Sequence, residues 1–404
     1  MDKLGDGMHK RPMGAGFLRD AHWLNRDRVR GYLWLLALLN LAMLVLLVVS
    51  SRGGIDRNGF LLGTDFLSFW SAGGMLHARE NVYDVAAHIT AQQAYFAQEG
   101  VHTAFFYPPP FLLLCYTLGF LPYFPALAVW LLTTGAAYLA VVRLWLRRAR
   151  VARPALLLFA AFPPVLIAVT HGQTSFLVAA MLGLGALLVR ERPILAGICF
   201  GLATIKPQFG PLVPLVLLLT GEWRVIAAAA VTALLFGIAA TAAFGTAIWP
   251  DWLTVSGAAQ AAMTEGAVGF AKMQSPFAAA MLLGAPPAVA YALQGTVSLA
   301  VAGAVCLAAW RKRYSLGLGA AMLAGAPLAT PFVLDYDMVL LAFPLIWLAG
   351  SGLRPWEKPI VALTFIAPAF ARPLALELGL PIMPIVLAAF FVVLVRRAME
   401  APAA

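Results

Sequence analysis

The chain has 404 residues, of which 62% are hydrophobic and only 11% charged, against about 45–50% apolar and roughly 25% charged in a soluble domain. So little polar surface excludes a water-soluble globule. Apolar runs of about 15–25 residues recur between Gly31 and Val395, each closed by Arg, Lys, Gly or Pro, which is the pattern of a polytopic α-helical membrane protein.

The alternating ten-residue strands of an outer-membrane barrel are absent. The net charge of +10 lies in short clusters at the ends of the apolar runs, as orientation signals do, so no nucleic-acid partner is expected. Cys115, Cys199 and Cys306 sit singly inside apolar segments, which suits neither a disulfide framework nor a cysteine metal site.

In chain order, residues 1–30 read as a basic cytoplasmic segment, followed by a retained signal anchor from Gly31 to Ser50. The first outer loop, 51–107, is the longest polar excursion. It carries two helical patterns, one after Gly63-Thr64-Asp65 and one from about Asp84 to Gln98, expected to lie along the membrane as amphipathic interfacial pieces with an aromatic rim. Pro108–Leu121 is too short to span and is expected to insert partially before a full crossing at 126–146. Further crossings are expected near 154–170, 174–189, 193–205, 207–220, 224–247, 287–309, 315–330, 336–350, 357–371 and 381–397. The expectation is an all-α transmembrane domain over 31–397 with about 12 helices, ending in a cytoplasmic tail at 398–404.

Charge supports that threading. It leaves 22 basic residues inside and six outside, whereas counting Pro108–Leu121 as a crossing leaves 10 inside and 18 outside. Both termini are then cytoplasmic. His171-Gly172-Gln173, Lys206-Pro207-Gln208 and Asp335-Tyr336-Asp337 share the outer face with the first loop.

Asp65 has two compatible readings: an N-cap of the helix that follows, and a general base at the lipid interface. Lys206 stands at a proline-broken helix junction, where a cation suits a phosphate, although a snorkelling lysine reads equally well. His171 and Gln173 also suit helix-end hydrogen bonding, and Asp335 and Asp337 suit a helix start. Neither a metal-ligand spacing nor a glycine-rich phosphate loop is present, so no metal or other cofactor is expected.

The motifs GTDFLSFWSAG (Gly63–Gly73), FFYPPPF (Phe105–Phe111), HGQTS (His171–Ser175), KPQ (Lys206–Gln208) and LDYD (Leu334–Asp337) resemble glycosyltransferase family 87, of the membrane-embedded C-type glycosyltransferase superfamily. The resemblance implies an inverting transferase, typically an α-mannosyltransferase, that takes its sugar from a polyprenyl-phosphate donor. The acceptor would be a glycolipid or glycan at the outer face of the cell (inner) membrane. Carried over, Asp65 matches the first-loop catalytic acid. Lys206, His171, Gln173, Gln208, Tyr107, Asp335 and Asp337 are the candidate donor- or acceptor-binding residues. Where many of the superfamily carry paired acids in the first loop, Thr64 precedes a lone Asp65, which fits a lipid-monophosphate donor better than a bound metal. A secondary transporter would place ionisable residues near the midplane and show related halves; here charges sit mostly at helix ends and no repeat is evident. A lipid-linked glycan polymerase or flippase usually carries its large loop later in the chain.

Overall fold

The structure, a computed structural model, describes residues 13–96 and 103–400. The described residues form helices and turns without a β-strand, as a chain must when lipid offers its backbone no hydrogen bonds. Among the described residues five helices are long and apolar enough to cross a membrane: Arg26–Ser50, Tyr123–Arg148, Trp223–Phe244, Pro287–Ala309 and Glu357–Leu378. The first begins five residues before the expected Gly31, capped by the Asn25 side chain, and the last runs beyond the expected 371.

The other expected crossings are shorter or interrupted. The 154–170 segment is two helices, Ala155–Ala161 and Pro163–His171, broken where Pro163 and Pro164 withhold backbone donors. The Pro193–Leu202 helix tightens into a 3₁₀ turn at Ala203–Ile205, stops at Lys206 and resumes at Pro207. Pro108–Leu121 yields only a 3₁₀ turn (Pro109–Phe111) and the helix Leu112–Leu118, too short to span, as expected. The C-terminal helix runs from Met383 to Glu400, past the expected end at 397. Residues 1–12 of the N-terminal segment, 401–404 of the tail and the end of the second loop pattern lie outside the described residues.

Contacts to six carboxylates divide into two groups. One end carries Arg148–Glu191 (2.8 Å), Arg190–Glu222 (2.9 Å) and Arg397–Glu357 (2.7 Å). The other carries Lys206–Asp337, Arg372–Asp335 and the Asn81–Asp251 hydrogen bond. Each contact joins residues that the sequence threading assigns to the same side.

The first loop departs from the interfacial expectation. Its helix Phe66–His77 buries Phe66, Leu67, Ser68, Phe69, Ser71, Ala72, Gly73 and Met75, and packs on Leu112–Leu118, so it has little free apolar face to lay on lipid. The approach is backbone to backbone: a β-carbon on Gly73 would stand 2.2 Å from the Cys115 carbonyl oxygen. The expected aromatic rim is largely an aromatic core, with Phe69 edge-on to Tyr107 and Phe111 at 5.1 Å each.

The helix Val85–Tyr95, capped by Asp84, also turns an unexpected face inward. Val85 and Tyr95 are exposed, while His88 and Gln92, one turn apart, are buried. Gln92 exchanges two hydrogen bonds with the Thr103 backbone, and His88 Nδ1 donates to the Val82 carbonyl at 3.0 Å. Apolar spacing misses this face because its partners are loop backbone groups that need donors and acceptors.

Burial lowers the pKa of His88 below the usual histidine value of 6.5, and its Nε2 has no partner among the described residues. The docked helix therefore holds a neutral ring. Its stability is complete above pH 6.5 and declines as pH falls from there toward the lowered native value. Limited proteolysis of this loop should accelerate between pH 7.5 and 5.0, and His88→Gln should flatten that dependence.

Candidate functional site

The site is assembled where the first loop meets the end of the Pro163–His171 helix. That helix closes on Gly172 in the left-handed conformation (φ +67°), and Gly63 lies opposite at φ +76°. A β-carbon on Gly172 would come within 2.6 Å of Phe66 Cβ, so only glycine allows this approach. Gly63 N donates to the Thr170 carbonyl and Asp65 N to that of His171, both at 3.1 Å. Two rings fasten the corner: the Tyr123 hydroxyl shares its one proton between the Leu62 and Gly63 carbonyls, and Trp130 Nε1 donates to that of Gly172 at 3.0 Å.

This corner aims Asp65 at Gln173, whose Nε2 donates to Asp65 Oδ2 at 2.6 Å. The amide is oriented from behind, because its oxygen accepts from the Tyr107 hydroxyl (3.0 Å) and from Thr174 N (3.1 Å). With its one proton committed to Gln173, Tyr107 accepts from the Thr174 hydroxyl at 3.0 Å. Asp65 occupies the N-cap position, yet its side chain makes no cap hydrogen bond. Its Oδ1 meets only the Thr64 hydroxyl, at a long 3.4 Å, and the residue is half-buried. It is a carboxylate with one oxygen pinned and acceptor capacity left on the other.

A second cluster adjoins through Ser175. Asp337 Oδ1 accepts from the Ser175 hydroxyl (2.9 Å) and from Lys206 Nζ (2.5 Å), while Oδ2 accepts from Leu334 N (3.2 Å). Lys206 and Asp337 are 4% and 3% exposed. Lys206 therefore does not stand as a free cation awaiting a phosphate. Its charge is taken up by Asp337 and faces the rings of Tyr336 and Phe209.

Asp335 is held differently. Its backbone N donates to the Lys272 carbonyl, and its Oδ2 lies 3.8 Å from Arg372 Nη1, which is one-third exposed. Burial pushes the Asp335 carboxyl above its ordinary pKa, and the charges of His171 and Arg372 oppose that shift. His171 bonds the Ile167 carbonyl through Nδ1 at 2.9 Å and lies beside Tyr336, ring centroids 5.8 Å apart. Gln208 is half-exposed and makes no side-chain hydrogen bond among the described residues, so it stays outside the network.

Residues 105–344, more than half of the chain, match the sequence profile of glycosyltransferase family 87. The chain belongs to that family. No curated protein and no solved structure matches it. The family match includes Tyr107, His171, Gln173, Lys206, Gln208, Asp335 and Asp337, and begins after Asp65. Asp65 is joined to the matched region by its hydrogen bond to Gln173.

Sequence reasoning did not select Thr174, Ser175 or Arg372 as site residues. The first two stand in HGQTS and were legible as a motif only, since ordinary hydroxyls gain meaning from what they touch. Arg372 lies beyond the matched region, and its one signal is that it is a lone cation within an apolar segment.

A buried ion pair that loses one partner leaves an uncompensated charge, at a cost of about 3–5 kcal/mol. Lys206→Met should therefore lower unfolding stability in detergent by about that amount. The double variant Lys206→Met/Asp337→Asn, which removes both charges and keeps an acceptor for Ser175, should recover most of it.

Proposed function

We propose that this family 87 glycosyltransferase moves a hexose, taken as mannose, from a polyprenyl-phosphate donor to a hydroxyl of a glycolipid or glycan acceptor, with Asp65 as general base. The observation that carries the reading is the Asp65 carboxylate, held by Gln173 at 2.6 Å, spared from capping and left with free acceptor capacity. The reading places the site on the extracytoplasmic face of the cell membrane, on a domain of twelve crossings with both termini inside. It rests on the basic clusters at the opposite helix ends and the two-sided sorting of polar contacts.

In the reaction the acceptor oxygen attacks the anomeric carbon on the face opposite the phosphate. A C–O bond forms, the bond from that carbon to the phosphate oxygen breaks, and the electron pair leaves with polyprenyl phosphate. The hydroxyl proton passes to Asp65. The configuration inverts, turning a β-linked donor into an α-linked product. Gln173 keeps the carboxylate in place, oriented in turn by Tyr107 and Thr174. Phosphate is an adequate leaving group without a proton, and the charge growing on it is met by Arg372 and His171 beside Asp335. Lys206 acts at one remove, by fixing Asp337.

Asp65→Asn tests the base alone, since the Asp65 side chain makes no cap hydrogen bond and asparagine can still accept from Gln173 but cannot take the proton. The variant should fold, run as a single species in detergent and bind donor as before. Its turnover should fall by about 10²–10⁴-fold. Near-normal transfer by well-folded Asp65→Asn protein would end the assignment.

A further inference from the structure

At the end of the bundle opposite Asp65 lies a cavity of about 1190 Å³, bounded by the base of the Arg26–Ser50 helix, the Tyr123–Arg148 helix, the turn that follows it, and the Glu357–Leu378 helix. Its lining is predominantly apolar, Leu36, Phe159, Phe162 and Phe365 among it, and includes the cations Arg26, Arg150, Arg153 and Lys358. Among the described residues the lining holds no Asp or Glu. None of the four cations has a carboxylate within ion-pair distance among the described residues, and Arg153 Nη2 reaches only the Arg26 carbonyl, at 3.4 Å. The Trp23 indole N–H, also in the lining, has no hydrogen-bond partner among the described residues.

The Arg26–Ser50 helix is only loosely seated beside this space. It buries just Leu33 and Ala37, which meet Leu157 and Ala161 in a small separate cluster, and it adds the hydrogen bond from Asn40 to the Ala160 carbonyl. Toward the Glu357–Leu378 helix, whose Phe365 packs on this small cluster, its base borders the cavity. A cavity at membrane depth with greasy walls and four cations in its lining is complementary to one kind of molecule, with hydrocarbon chains and a phosphate head.

We infer that this cavity binds an anionic two-chain phospholipid of the adjacent leaflet, its head among Arg26, Arg150, Arg153 and Lys358 and its chains along the Phe159, Phe162 and Phe365 wall. The lipid fills the gap behind the Arg26–Ser50 helix and seats it on the bundle. The site is separate from the Asp65 centre, so its existence does not depend on the proposed reaction.

The test is lipid binding to the full chain purified in a non-ionic detergent, by native mass spectrometry with thermal unfolding in parallel. The probes are dioleoyl-phosphatidylglycerol, dioleoyl-phosphatidylcholine and undecaprenyl phosphate. Phosphatidylglycerol should bind and raise the unfolding temperature, and phosphatidylcholine should do neither. A surface-adjacent basic side chain is worth about five-fold in anionic-lipid affinity, so Arg150→Gln/Lys358→Gln should weaken phosphatidylglycerol by about 30-fold. Arg311→Gln/Arg313→Gln, at the same end but outside the lining, should change it less than three-fold. Ala349→Phe, which narrows the cavity at an exposed lining position without altering charge, should also weaken it. Equal binding of the two phospholipids, equal losses in the two charge variants, or binding of undecaprenyl phosphate alone would each overturn the inference.

Discussion

Asp337 is the point at which the polar end of the protein is tied together. Its two carboxylate oxygens take hydrogen bonds from Ser175, Lys206 and the Leu334 backbone, so three segments far apart in sequence meet on one side chain. A charge this deeply buried is tolerated only when paired and fully hydrogen-bonded. That requirement fixes where the broken helix at Lys206 stops and where the Ser175–Leu188 helix starts. It also fixes how the Asp335–Leu341 turn is presented. Gln173, two residues before Ser175, inherits its position from that anchor.

The base is positioned by backbone geometry and then by hydrogen bonds. Gly172 and Gly63 bring the helix end and the first loop within β-carbon distance, and Tyr123 and Trp130 lock the carbonyls on either side. Gln173 is the hinge of the first cluster, since its oxygen is held by Tyr107 and the Thr174 backbone while its nitrogen holds Asp65. A flexible loop acid thereby acquires a fixed direction without losing its capacity to accept a proton. Preorganisation of this kind gives a general base its effect, because the geometry is set before the substrate arrives.

The motif-bearing ends of helices were legible in the sequence because proline and glycine interrupt apolar runs visibly. The breaks at Lys206-Pro207 and before Asp335 lie where the spacing put them, whereas the spacing reads straight through Pro163 as one crossing; each ion pair joins residues that charge placement assigns to one side. What escaped was any feature decided by a distant partner. Lys206 read as an open cation because nothing near it in sequence announces Asp337. His88 and Gln92 read as the polar face of a surface helix, whereas their partners, the Val82 and Thr103 backbone, pull them inward. The aromatic run from Phe66 to Trp70 read as an interfacial belt, but its rings fill the space beneath the loop, since Gly73 and Gly119 let the two short helices close on each other. Arg372 and Ser175 are ordinary residues until the fold sets each beside a buried carboxylate.

The account joins a donor class to a side of the membrane, and one measurement tests both. Sealed right-side-out vesicles containing the protein are given either a short-chain polyprenyl-phosphate mannose or a mannose nucleotide from outside, and sugar transfer to membrane acceptors is followed. Transfer from the lipid phosphate donor without permeabilisation, and none from the nucleotide, is the predicted result. Direct use of the nucleotide, or activity that appears only once the vesicles are opened, would contradict it.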